Sequence, residues 1–153
     1  MSNLIRRACH SRFSHVDIVL PGEGLLGVSG EDKSVKDPGG VRIRPFEPWP
    51  YNIVREVTIH TDKGDAVIAV ARSQIGKPFD NAALYAFFNP YGEPRDWREL
   101  DKWFCSELVI WACETSGLFE YELCVPMNMI NPNDTMLLLN PFISAADVRT
   151  LLN

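Results

Sequence analysis

Trp103-Phe104-Cys105-Ser106-Glu107-Leu108 reads as the start of a buried helix with a cysteine in its first turn. The first N–H groups of a helix have no intrahelical acceptor, and they sit at the positive end of the helix dipole. Both effects favour a thiolate, the reactive form of cysteine. Apolar residues continue at 104, 108, 109, 111, 112 and 113. So wide an apolar face predicts a core helix over 103–116, with Gly117 as its stop.

Upstream of this helix the hydrophobic period is two. Val16-Asp17-Ile18-Val19-Leu20 is rich in β-branched residues and predicts a strand over 15–20. Pro21-Gly22-Glu23-Gly24 is turn chemistry, and residues 25–29 are expected to return as the second strand of a hairpin. Val41-Arg42-Ile43-Arg44-Pro45 alternates apolar and basic residues, with Val41 and Ile43 inward. A polar loop lies before it, and Pro48, Trp49, Pro50 and Tyr51 mark an irregular crossing after it. Residues 53–61 alternate in part and are expected to join the same small antiparallel sheet. The period then changes: apolar residues at 66, 67, 70, 71 and 75 predict a helix over 65–75.

Gly76-Lys77-Pro78-Phe79-Asp80 is a turn, and residues 81–88 suit a short buried helix. The loop 89–94 reads as a lid or as a plain connection. Beyond Gly117, Val125-Pro126 and Ile130-Asn131-Pro132-Asn133-Asp134 are turn chemistry. Residues 135–139 are expected to form a final strand. Ser144-Ala145-Ala146-Asp147 is expected to cap a short helix running to residue 152. Residues 1–12 suit a short helix or arm. With no repeat, low-complexity tract or linker, residues 1–153 are expected to form one domain.

The chain has 153 residues, enough for a sizeable core, and 46% of them are hydrophobic. A net charge of −5 argues against nucleic acid as a partner. No apolar run reaches the length of a membrane span, and the first residues lack the apolar core of a signal peptide. A cytoplasmic location is the default expectation, with delivery to the cell envelope by another route left open. Cys9, Cys105, Cys113 and Cys124 show no metal-ligand spacing, and Cys113 and Cys124 lie among apolar residues, as buried thiols do.

Cys105 is a nucleophile or a small core hydrophobe; its place at the opening of a helix, unlike Cys113, favours the first. A nucleophilic thiol needs a base, and His15 is the candidate. Alternate strand residues share a face, so His15, Asp17 and Val19 point one way and Val16, Ile18 and Leu20 the other. Asp17 then stands beside the imidazole, where it can orient the ring and favour its charged form. The alternative is a surface strand whose polar residues meet water. His10 and His60 read as surface histidines, with no second ligand at metal-type spacing. Glu107 fits a capping carboxylate of the cysteine helix. No GxSxG elbow, Walker loop or GxGxxG is present.

The order His, strands, helices, Cys resembles the circularly permuted branch of the NlpC-type papain-like superfamily. That branch includes the YiiX-type proteins and, more distantly, the lecithin retinol acyltransferase group. The resemblance rests on five stretches in order. They are Ser14-His15-Val16-Asp17-Ile18-Val19, Gly39-Gly40-Val41-Arg42-Ile43-Arg44-Pro45, Gln74-Ile75-Gly76-Lys77-Pro78-Phe79-Asp80, Trp103-Phe104-Cys105-Ser106-Glu107-Leu108 and Ile130-Asn131-Pro132-Asn133-Asp134.

It implies an α+β papain-like core with circular permutation, in which a small antiparallel sheet from the N-terminal half packs on helices that include the cysteine helix. It also implies a thiol hydrolase, peptidase or acyltransferase working through a thioester. Cys105 would be its nucleophile and His15 its general base, and no metal or organic cofactor is called for. The acyltransferase group carries a second histidine about where this chain has Gly27 to Ser29. None is there; strand geometry makes Asp17 the substitute for the third place, with a backbone carbonyl or water as the alternative. The implied substrates are peptide amides, including cell-wall peptides, or lipid acyl esters. Trp49, Tyr51, Tyr85, Phe87 and Phe88 suit either an acyl-binding surface or the core. A catalytically inactive binding module on the same fold, or a structural protein, is the alternative from another class.

Overall fold

The alternating N-terminal stretches fold as a sheet. The computed structural model describes residues 5–7, 10, 12–30, 38–46, 53–86, 99–144 and 147–152. Strands β1 (Ile18–Leu20), β2 (Gly24–Ser29) and β3 (Gly40–Arg44) pair antiparallel in chain order. The turn between β1 and β2 closes where the Glu23 N–H donates to the Leu20 carbonyl at 3.0 Å. In the register, Leu26 faces Ile43 and Val28 faces Val41, so these four share one side of the sheet. Gly27 faces Arg42 and Leu25 faces Arg44 on the other side. The inward setting expected for Val41 and Ile43 is what the structure shows. β1 begins at Ile18 and not at residue 15, so His15 and Asp17 lie in the segment leading into the strand.

The apolar side of the sheet is covered by two helices, α1 (Gly64–Arg72) and, after the short α2 (Asn81–Ala86), α3 (Cys105–Thr115). Leu20, Leu26, Val28 and Val41 pack with Ala71 of α1 and with Leu108 and Ala112 of α3. Burying a side chain such as Leu26 or Leu108 contributes about 1.5–3 kcal/mol. α1 stops at Arg72, three residues before the expected end, because residues 74 and 75 take tighter i→i−3 bonds to Ala71 and Arg72.

α3 is the central element, as its sequence implies. Its second apolar side, Val109, Ile110 and Cys113, packs on Leu118, Phe119, Ile130 and Leu139. It ends in a Schellman arrangement: Leu118 N–H reaches Cys113 O at 2.9 Å and Gly117 N–H reaches Glu114 O at 3.0 Å. Gly117 takes φ +72° there, a conformation that costs other residues dearly.

Three expectations are corrected. Residues 135–139 are helical, within α4 (Pro132–Leu139). The Asn131 Oδ1 accepts from the N–H groups of Asn133 and Asp134 at 2.8 and 3.1 Å, and Asp134 accepts in return from the Asn131 N–H at 3.2 Å. This capping box, with Pro132 at the first helical position, sets the start. A strand would place residues 135, 137 and 139 on one face, but Thr135 and Leu139 are buried while Leu137 is 66% exposed.

The C-terminal stretch is a strand, β5 (Val148–Leu152), and β4 (Ile53–Val57) pairs with it and not with the three-stranded sheet. A five-residue helix closes few hydrogen bonds, whereas as a strand the same segment finds a partner. The expected helix cap serves that pair. Thr58 N–H donates to the Asp147 carbonyl at 3.1 Å, and the Asp147 carboxylate takes the Ser144 hydroxyl and His60.

Residues 31–37, 47–52 and 87–98, which include the proposed crossing, the lid-or-connection loop and Trp49, Tyr51, Phe87 and Phe88, lie outside the described residues, as do Cys9 and the Tyr85 side chain. Among the described residues no helix is long and apolar enough to cross a membrane.

Candidate active site

The first turn of α3 is hung on the sheet by the stretch 74–80. Gly40 approaches that stretch so closely that a Cβ on it would stand 2.5 Å from the Lys77 carbonyl oxygen. The contact lets the Val41 N–H bond Lys77 O at 2.8 Å and the Gly76 N–H bond Val41 O at 2.9 Å. The next residues pair with the approach to α3: Trp103 N–H donates to Pro78 O at 3.1 Å, and Asp80 N–H donates to Trp103 O at 2.8 Å. The Trp103 indole N–H also reaches Gln74 Oε1 at 3.1 Å. Asp80 is fully buried, and its carboxylate accepts from the N–H groups of Ala83 at 2.8 Å and Glu99 at 2.9 Å. Phe104 is thereby held extended and Cys105 opens the helix. Glu107 reaches back to the Phe104 N–H at 3.4 Å, the capping role expected of it.

Cys105 is buried with Ala83 and Phe104, against Val16 and Phe79. Val16 brings its neighbour along: the His15 side chain interacts electrostatically with Cys105. The other end of the imidazole is fixed, since Nε2 stands 2.9 Å from Asp17 Oδ1. The two distant stretches and the carboxylate are therefore brought together.

Two residues complete the arrangement that sequence reasoning did not single out. One is Arg44, whose Nη2 is 2.8 Å from both Asp17 oxygens and 3.0 Å from His15 Nε2. The second is Gly27. A Cβ there would overlap the Asp17 Oδ1 and stand 2.8 Å from its Cγ. The Asp17 side chain thus lies across the bare backbone of β2, where a side chain from that strand would otherwise be. Both were legible in principle. Extending the pairing of Ile18 with Leu26 by one step sets Asp17 opposite Gly27, and Arg44 follows from the register of β3.

The charges reinforce one another. Burial pushes the His15 imidazole down, but Coulombic interaction with Cys105 and hydrogen bonding outweigh it, with Asp17 adding to both, raising the pKa from 6.5 to about 10. The ring is densely surrounded on one side yet keeps 38% of its side-chain surface exposed, so water screens part of that attraction. Burial likewise pushes the Asp17 carboxyl up, and His15 and Arg44 together hold it below the usual carboxylate range.

The remaining candidates behave differently. Cys113 is a buried thiol whose burial pushes it up to about 12, far from reactivity. Cys124, expected to be buried, is exposed, because it follows a loop with exposed Glu120, Tyr121 and Glu122. Cys105, Cys113 and Cys124 are all free thiols. His60 is 67% exposed and bonds Asp147 at 2.8 Å. Among the described residues no group of three or more side chains has the make-up of a metal site. No protein-family model, curated protein or solved structure matches this chain.

Proposed function

We propose that the chain is a cysteine-dependent hydrolase or acyltransferase on a permuted papain-like core, acting on an amide or acyl ester through a thioester. The observation that carries this reading is His15 standing between a helix-opening thiol and a half-buried carboxylate. In this reading the Cys105 thiolate attacks the acyl carbon and forms the C–S bond. N–H groups at the start of α3 receive the developing oxyanion. As the C–N or C–O bond breaks, the His15 imidazolium gives its proton to the departing amine or alcohol. Neutral His15 then takes a proton from water, or from a second acceptor, as that oxygen attacks the thioester. The acyl product leaves and the thiolate returns. Asp17 orients the ring throughout and supports its charged form.

The test is incubation with p-nitrophenyl acetate and with peptide p-nitroanilides, quenched in acid and read by intact mass and peptide mapping. Acyl label on Cys105, lost in Cys105→Ala and much reduced in His15→Ala, is the expected result. A second reading, an inactive binding module, draws on the burial of Cys105, which is 8% exposed. It requires that no acyl label reach Cys105 from either substrate class and that His15→Ala change nothing.

A further inference from the structure

We infer that Arg44 is a positioning residue of this site, which locks the Asp17 carboxylate and sets the upper pH limit of the Cys105–His15 pair. The inference rests on the cysteine–histidine reading above and adds a residue that the reading does not need.

The geometry leads to it. One carboxylate oxygen, Asp17 Oδ1, receives both His15 Nε2 at 2.9 Å and Arg44 Nη2 at 2.8 Å. Nη2 also reaches Oδ2, so a single nitrogen ties down both oxygens. Asp17 rests on Gly27, which has no side chain to hold the carboxylate in place. Arg44 supplies that hold. Its side chain is mostly buried, 18% exposed, and among the described residues its Nε finds no hydrogen-bond partner, so the side chain is committed to the carboxylate through Nη2.

The same contact has an electrostatic side. Arg44 Nη2 lies 3.0 Å from His15 Nε2, and a guanidinium cannot accept a proton or a hydrogen bond. When His15 is charged, two cations therefore face one carboxylate. Arg44 offsets part of the attraction that Asp17 exerts on the imidazolium. Among the described residues, the charged or titratable groups meeting His15 are Asp17 from its own segment, Arg44 from β3 and Cys105 from α3. Arg42, two residues along β3, gives its Nη2 to the Ser29 hydroxyl at 2.8 Å. Removing the Arg44 charge leaves Asp17 to act on His15 alone, so the imidazolium persists to higher pH. Removing the Asp17 charge does the opposite.

The experiment is the rate of Cys105 alkylation by iodoacetamide against pH, on the full chain, with thermal melting as a check of folding. In wild type the upper inflection reports loss of the imidazolium, and His15→Ala abolishes it. Arg44→Met is expected to move that inflection up by about one pH unit, and Asp17→Asn to move it down. Arg44→Lys, which keeps the charge, is expected to restore the wild-type position. An inflection that in Arg44→Met stays where it is, or moves down as it does in Asp17→Asn, overturns the assignment and reduces Arg44 to scaffolding. A wild-type profile with no inflection dependent on His15 removes the catalytic pair itself, and the Arg44 role with it.

Discussion

Replacing Gly27 by alanine puts a methyl group where the Asp17 carboxylate now lies. The new Cβ would stand 2.8 Å from the Asp17 Cγ and overlap Oδ1, whereas ordinary contact begins near 3.4 Å. Oδ1 therefore has to swing away by more than about 1 Å before its dispersion contact with the methyl becomes favourable. That carries the 2.9 Å bond to His15 beyond hydrogen-bonding distance and disturbs both 2.8 Å contacts with Arg44.

The clash falls on the far end of a side chain and not on backbone, so the strand itself is not forced apart. Loss of charge-assisted hydrogen bonds costs about 1.5–3 kcal/mol, and removing a glycine from a strand offsets about 0.5–1 of it. Gly27→Ala should thus fold, with a net loss of roughly 1–2 kcal/mol. Misplacing the orienting carboxylate by that much should lower the rate of Cys105 chemistry on the order of 10²-fold. Acyl labelling of Cys105 and a melting curve measure the two effects separately. Wild-type labelling in Gly27→Ala would show that Asp17 does not orient His15, and the triad-like reading would lose its third member.

Three further outcomes are expected. His15 has a folded pKa above its unfolded value of 6.5, so the stability it adds is fully present below that value and is lost as pH climbs through about 10. The difference in denaturant stability between wild type and His15→Ala should shrink over that window; a difference that grows with pH refutes the sign. In native protein, iodoacetamide at neutral pH should modify Cys124 and spare Cys113, whose thiol is pushed up to about 12; peptide mapping checks this. Asp80→Ala leaves two N–H groups without their buried acceptor and should cost about 2–5 kcal/mol, a drop in Tm of roughly 5–15 °C. A shift under 2 °C would contradict the account of how the start of α3 is held.

What the sequence made legible were the features carried by local patterns. The β1–β2 hairpin, the inward faces of β3, the core helix at Cys105 and its stop at Gly117 all follow from period and turn chemistry. So did the neighbouring positions of His15 and Asp17, since that pair depends on two residues two apart. One error came where a distant strand decided, the other where a nearby cap did. Residues 148–152 suit a short helix when read alone and become a strand because β4 is there to pair with them. Residues 135–139 look like a strand until Asn131 and Asp134 are recognised as the two halves of a cap and not merely as turn residues.

Arg44 and Gly27 were missed for a related reason. Arg44 looked like the solvated half of an alternating strand, and Gly27 like a position lacking a histidine. Only the cross-strand register shows that the missing side chain on β2 is the space Asp17 occupies. Cys124 was misjudged from apolar neighbours such as Leu123 and Val125, of which Val125 is itself exposed.

The most direct test of the central claim is the alkylation rate of Cys105 near pH 6–7, where a free thiol with pKa near 8.5 is almost wholly protonated, in wild type and in His15→Ala. The account predicts wild-type labelling at Cys105 faster by on the order of tenfold or more, with Cys124 unchanged between the two proteins. Equal rates at Cys105 in both would contradict it, because the sulfur would then owe nothing to the imidazole beside it.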